Sequence, residues 1–283
     1  MFPGKQFIST VLDLLDAKTA MTGQVAQRYL MRAAMAGVIV GIFYTAYYTI
    51  VAGFDEISVG EGNLHVVGKF LGALVFGWAL VFIYYSKSEL LTSNMMITSI
   101  GVYYHRTGVK KALTLLALCF MGNFLGGLLI AVLVAFTSLL NGDTTAAMQE
   151  AVDSKLGYYT DGLVGMTDLF FRAVLCNFMI NLAMLLVYNG TIKSDVLKAL
   201  VMIMSVFVFA FLAFEHSVAN TVLFLTHGLN TGIDAVGATV VVIISLLGNF
   251  VGGGVLIGLY YAYINDEGRY LRHHPAEEAT DAA

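Results

Sequence analysis

The chain is 283 residues long, 58% hydrophobic and only 12% charged, with a formal net charge of −4 and a mean hydropathy of +0.79. A water-soluble domain carries about 25% charged residues, so a soluble enzyme is excluded, and the small net charge implies no nucleic-acid partner. Six long apolar stretches point instead to an all-α polytopic protein set in a lipid bilayer.

Residues 2–29 place Phe7, Val11, Leu14 and Leu15 on one side at helical spacing, which predicts an amphipathic helix lying on the membrane surface or the bundle. No processing site precedes the first span, so no cleavable signal peptide is expected. That span is expected over 31–53, followed by a polar loop over 54–65. The next apolar segment, 66–104, is 39 residues long. One crossing takes about 20 residues, so the segment is too long for one straight helix and too short for two joined by a loop. The polar cluster Ser86-Lys87-Ser88-Glu89 marks a break, and irregular backbone at membrane depth is tolerated only inside protein or along a cavity.

A basic connection over 105–111 leads to a third span at 112–140, and an acidic loop is expected over 141–166. The fourth span follows at 169–188. The fifth apolar segment, 196–226, is interrupted by a second polar cluster and is expected to break over 214–220. The sixth span runs 235–264, and 265–283 is a charged tail. Cys119 and Cys176 lie in apolar segments and read as small buried side chains. The expected organisation is an amphipathic segment over 1–30, a membrane domain over 31–264 and a tail over 265–283.

The two interruptions repeat one another. Glu89 and Glu215 stand 126 residues apart, as do Asn94 and Asn220, and Gly122-Asn123-Phe124-Leu125-Gly126-Gly127 returns at the same offset as Gly248-Asn249-Phe250-Val251-Gly252-Gly253. Lysine and arginine gather before the first span, between the second and third, between the fourth and fifth, and in the tail, which puts both termini in the cytoplasm. Each repeat, about 31–140 and 167–264, then holds three crossings, so the second copy enters from the opposite face. In such inverted repeats the paired broken helices mark the substrate path at mid-depth, where Thr92 and His216 are expected to meet.

An ionisable group inside a hydrocarbon span is expensive and marks a functional site. Helix N-termini created by the breaks offer free N–H groups and partial positive charge to a small anion. With the Thr92 hydroxyl and the His216 imidazole, they are expected to replace part of an anion's hydration shell; histidine also exchanges protons near neutral pH. Glu215 is expected to point away from the pore and to steady the break, as is Glu89. Asn94, Asn123, Asn181, Asn220 and Asn249 are expected to satisfy backbone at the breaks, with Asn181 the foremost of them for pore lining. The repeated glycines read as packing positions. Arg172 is expected to snorkel at the membrane edge, while His227, His273 and His274 read as surface residues. Nothing resembles a metal site, a Walker loop or a Rossmann fingerprint, so no metal or cofactor is expected.

The segments Ser88-Glu89-Leu90-Leu91-Thr92-Ser93-Asn94 and Phe214-Glu215-His216-Ser217-Val218-Ala219-Asn220, with the two glycine-rich repeats, resemble the formate/nitrite transporter family over about residues 7–264. The resemblance implies an aquaporin-like protomer with two broken helices, a homopentamer with one pore per protomer, and residence in the cell's inner membrane. It implies passage of small monovalent weak-acid anions, most of all formate, in both directions and with proton coupling at low pH. Nitrite, lactate and hydrosulfide are the alternatives within the family. An integral membrane enzyme or a nonconducting structural protein are alternatives of another class. The family's central threonine and histidine match Thr92 and His216, its cytoplasmic-side constriction Leu80 and Leu90, its outer constriction Phe76 and Phe209, and its fourth-helix asparagine Asn181. One departure stands out: where many members carry an outer-vestibule lysine, this chain has Gly165, leaving Lys155 or Arg172 as substitutes.

Overall fold

A computed structural model describes residues 4–268 apart from Glu61 and Asn141. The expectations for 269–283, including His273 and His274, lie outside the described residues. The amphipathic helix is α1 (Lys5–Gln24), joined by Val25 alone to the first long apolar helix, α2 (Ala26–Asp55). A two-residue hairpin, Ser58–Val59 paired antiparallel with Gly62–Asn63, turns at Gly60 with φ +63°, a conformation that glycine adopts without steric cost. Next come α3 (His65–Tyr85), α4 (Leu91–Tyr103) and α5 (Val109–Ala135). Then follow α6 (Asp143–Thr160), α7 (Gly162–Tyr188), α8 (Asp195–Phe211) and α9 (Ser217–Thr231). The last long helix begins as α10 (Ala235–Asn249), widens into a π-helical stretch at Phe250–Leu259 and ends as α11 (Tyr260–Ile264).

Among the described residues, five helices are long and apolar enough to cross a membrane: α2, α3, α5, α7 and the continuous Ala235–Ile264. The fifth apolar segment is divided between α8 and α9, of 17 and 15 residues, and neither half reaches that length alone. The second break also lies earlier than expected. Ser217 to Asn220 already form the first turn of α9, because His216 caps that helix by accepting the Ala219 N–H at Nδ1, 3.0 Å away.

The acidic loop expected over 141–166 is largely the helix α6. Its Thr144, Met148, Val152 and Lys155 are buried at i, i+4 and i+3 spacings, one narrow face that the polar remainder hides. α1 lies on the bundle, burying Phe7, Ile8, Val11 and Leu15, with Phe7 edge-on to Tyr261 at 6.1 Å. Helix crossings are close where glycine lies opposite backbone: a Cβ at Gly126 would fall 1.8 Å from the Ala34 oxygen, and one at Gly252 2.0 Å from the Val174 oxygen. Cys119 and Cys176 are buried free thiols.

Candidate functional site

The two breaks are built alike. Chain reversal out of α3 and α8 places Lys87 at φ 56° and Ala213 at φ 52°. The next backbone donors turn to neighbouring helices: Glu89 N–H to the Arg32 oxygen at 3.2 Å and Glu215 N–H to the Arg172 oxygen at 3.4 Å. Each following helix then begins on an asparagine from the repeated glycine-rich segment. Leu91 N–H donates to Asn123 Oδ1 at 3.0 Å and Ser217 N–H to Asn249 Oδ1 at 2.9 Å. The Asn123 amide donates to the oxygens of Ala33 and Glu89, both at 2.8 Å; the Asn249 amide donates to those of Ala173 and Glu215 at 2.8 and 2.9 Å. Buried irregular backbone is thus satisfied by two side chains, which a break inside an apolar bundle requires.

The two glutamates are buried and paired. Lys18 of α1 reaches Glu89, and Lys155 of α6 reaches Glu215 at 2.6 Å. Asn94 and Asn220 donate to the same carboxylates at 3.0 and 2.7 Å. Neither pairing was legible in the sequence, because the lysines lie 71 and 60 residues before their partners. Lys155, which the sequence offers as a substitute for the outer-vestibule lysine, is paired with Glu215. Arg172 is likewise engaged, with Asp168 at 2.9 Å and the Ala213 oxygen at 3.3 Å. His227, expected at the surface, is 3% exposed and bonded to Thr231 at 3.0 Å.

Thr92, in the first turn of α4, and His216, at the head of α9, meet in the interior: Thr92 Oγ1 lies 3.2 Å from His216 Nε2. Because Nδ1 accepts the Ala219 N–H, the neutral ring carries its proton on Nε2 and presents that donor to Thr92. A cationic ring, with hydrogen on both nitrogens, would forfeit the cap. The imidazole stacks on Phe209 with centroids 5.9 Å apart and planes at 17°.

Against His216 lies a cavity of about 20 Å³, with Phe76, Leu80, Leu90 and Phe209 also in its wall; Thr92 is fully buried behind the imidazole and does not line it. A larger cavity of about 180 Å³ opens towards α6 and shares Phe76, Phe209 and His216 with it; the two phenylalanine rings meet edge-on at 6.1 Å. Another of about 270 Å³ opens towards α1 and shares Leu80 and Leu90. The four apolar residues therefore stand in pairs between the small central space and the two funnels. Water-sized room between apolar walls favours a small, weakly hydrated occupant.

Asn181 does not reach that space. It is fully buried and its amide donates to the Thr92 oxygen at 3.1 Å and to Asn177 Oδ1 at 2.8 Å. Asn177, one turn earlier on α7, donates to the Thr92 and Asn249 oxygens at 3.1 and 2.7 Å. Sequence reasoning passed over Asn177, although its i, i+4 spacing to Asn181 put both amides on one face. Gly253 leaves room for both amides, a Cβ there falling 2.3 Å from each nitrogen. Among the described residues no cluster of histidine, cysteine or carboxylate side chains could hold a metal ion.

The family model described as Formate/nitrite transporter matches residues 5–263. The nitrite transporter NirC of Salmonella typhimurium is 28% identical over 240 residues, 81% of this chain and 80% of its own. A solved structure described as an FNT family ion channel superposes with a TM-score of 0.78 at 24% identity, covering 91% of this chain and 98% of the other. A pentameric formate channel with formate bound superposes at 0.69 and 23% identity, covering 85% of this chain and 98% of the other.

Proposed function

The chain belongs to the formate/nitrite transporter family, and on that premise we propose that it passes formate and similar small weak-acid anions in both directions through the Thr92–His216 centre. It is a multi-pass membrane protein of a family of anion channels and transporters, not an enzyme. The observation that carries the finer reading is the central cavity of about 20 Å³. It is small, lies between two apolar narrowings and has the His216 imidazole in its wall, with the Thr92 hydroxyl 3.2 Å from Nε2 behind it. An anion there would accept from His216 Nε2–H and Thr92 Oγ–H, replacing part of its lost hydration. A proton shared along those bonds would give a weak acid a neutral form with less resistance at the apolar gates.

Six crossings in two inverted halves, with the α1 side in the cytoplasm, fit the matched breaks and the distribution of lysine and arginine. Large apolar side chains, among them Trp78, Phe82, Leu129 and Leu247, are exposed in the single protomer, and contact with lipid or with neighbouring protomers of a pentamer would cover them. Flux into liposomes of formate, nitrite, lactate and hydrosulfide, each at external pH 5 and 7, tests the substrate. Formate flux that leads the series and rises with acidity supports the reading. Nitrite flux in the lead, with little dependence on pH, keeps the pore and moves the assignment to nitrite.

A further inference from the structure

The two breaks share their backbone and asparagine bonds, yet the charges around them do not match. At the first break the left-handed position is Lys87; at the second it is Ala213. Arg32, whose carbonyl receives the Glu89 N–H, has an exposed side chain without an ion pair among the described residues. Its counterpart Arg172 is neutralised by Asp168. Lys87 likewise has no carboxylate among the described residues, and its ammonium rests 5.0 Å over the Tyr84 ring. The funnel of about 270 Å³ on the α1 side therefore holds Lys18, Arg32 and Lys87 against Glu89 alone. On the α6 side, the funnel of about 180 Å³ sets Lys69 and Lys155 against Glu150 and Glu215, while His65 is bound to Asp55 at 2.8 Å.

We propose that Arg32 and Lys87 form an anion-holding site for carboxylates in the α1-side mouth, with no counterpart at the other mouth. This rests on the anion-pore reading above but not on which side faces the cytoplasm. A funnel with unbalanced positive charge and low-dielectric walls concentrates anions from solution, over a range of about 8 Å at physiological salt. A mouth that does so holds its anions at lower bulk concentration. With equal pH on both sides and no voltage, no gradient other than that of the anion drives the flux, so the ratio of limiting rate to half-saturating concentration is the same in both directions. Tighter holding at the α1 mouth therefore appears as a lower half-saturating concentration and a lower limiting rate from that side. A dianion too large for the apolar gates occupies the same site without passing.

The full-length protein is reconstituted in one orientation, and initial formate flux is measured against concentration from each side. Half-saturation is expected on the order of three- to tenfold lower from the α1 side, converging on the α6 value as inert salt is added. Malonate, used as the impermeant dianion, inhibits from the α1 side only. The double variant Arg32→Gln/Lys87→Gln abolishes both asymmetries, and Arg32→Lys/Lys87→Arg, which keeps the charges, retains them. Ala213→Lys supplies the missing charge at the other break and lowers half-saturation from the α6 side.

Equal half-saturation in the unaltered protein, or asymmetry that survives in the glutamine variant, overturns the proposal. Malonate binding to the detergent-solubilised protein is read separately by calorimetry. If formate does not pass but malonate binding is lost in the glutamine variant, the pore reading falls and the site stands. If malonate binds both proteins equally, the site falls.

Discussion

At the scale of single residues, His216 has two tasks on two nitrogens: Nδ1 caps α9 and Nε2 faces Thr92. Phenylalanine at His216 removes both. Loss of a cap costs about 1 kcal/mol, too little to prevent assembly, whereas loss of a charge-assisted donor to the anion corresponds to about tenfold in flux. We expect His216→Phe to remain assembled in size-exclusion chromatography and to lose formate flux together with its variation between pH 5 and 8. A variant with unaltered flux across that range would remove His216 from the path. Glu215 predicts differently. Its carboxylate is buried against Lys155, so Glu215→Gln leaves a buried ammonium without its counter-charge, at a cost of about 3–5 kcal/mol. The thermal midpoint should fall markedly in Glu215→Gln and recover in part in Glu215→Gln/Lys155→Met, where no charge is stranded. The glutamates could be found in the sequence because they interrupt apolar runs. Their pairing with lysines could not, because each lysine sits on an amphipathic helix whose charges look like an ordinary solvated face.

At the scale of elements, the breaks were legible from length and polarity, and the helices on either side of them were not fully so. Asn220 reads as part of the interruption, yet it lies inside α9 and spends its amide on Glu215. A polar residue in an apolar run marks either a break or a partner of one, and composition alone does not separate the two. α6 was missed because only four of its residues are buried. The glycine positions, by contrast, carried their meaning openly. Leucine at Gly252 would drive a side chain into the Val174 carbonyl of α7, so Gly252→Leu should yield little monodisperse protein on purification, while Gly23→Leu, where a Cβ meets nothing, should purify normally. α1 carries a pH dependence as well. Arg106 bonds to Asp16 at 2.5–3.0 Å and holds its carboxyl below the usual 3.8. A depressed carboxyl stabilises docking at pH above 3.8 and loses that contribution as pH falls through its lower folded value. Hydrogen-exchange protection of α1 should therefore be steady from pH 7 to 5 and decline below about 4. The effect should be small, since both partners are exposed, and absent in Asp16→Asn.

At the scale of the whole molecule, the apolar pairs Phe76–Phe209 and Leu80–Leu90 bracket a space far smaller than either funnel. Selection by size should therefore reside in the gates and not in the mouths. Leu90→Ala/Phe209→Ala opens one member of each pair and is expected to raise lactate flux relative to formate flux; an unchanged ratio in the same liposomes would locate the sieve elsewhere. Both funnels are floored by a buried lysine–glutamate pair, and in each the lysine comes first in the chain, by 71 and 60 residues. A ribosome makes the chain from its N-terminus and early segments begin to fold before later ones exist. Each carboxylate thus emerges into a membrane where its counter-ion has already been synthesised on a helix at the surface. The order of residues along the chain doubles as a timetable, in which neither acid has to wait within the lipid for a base not yet made.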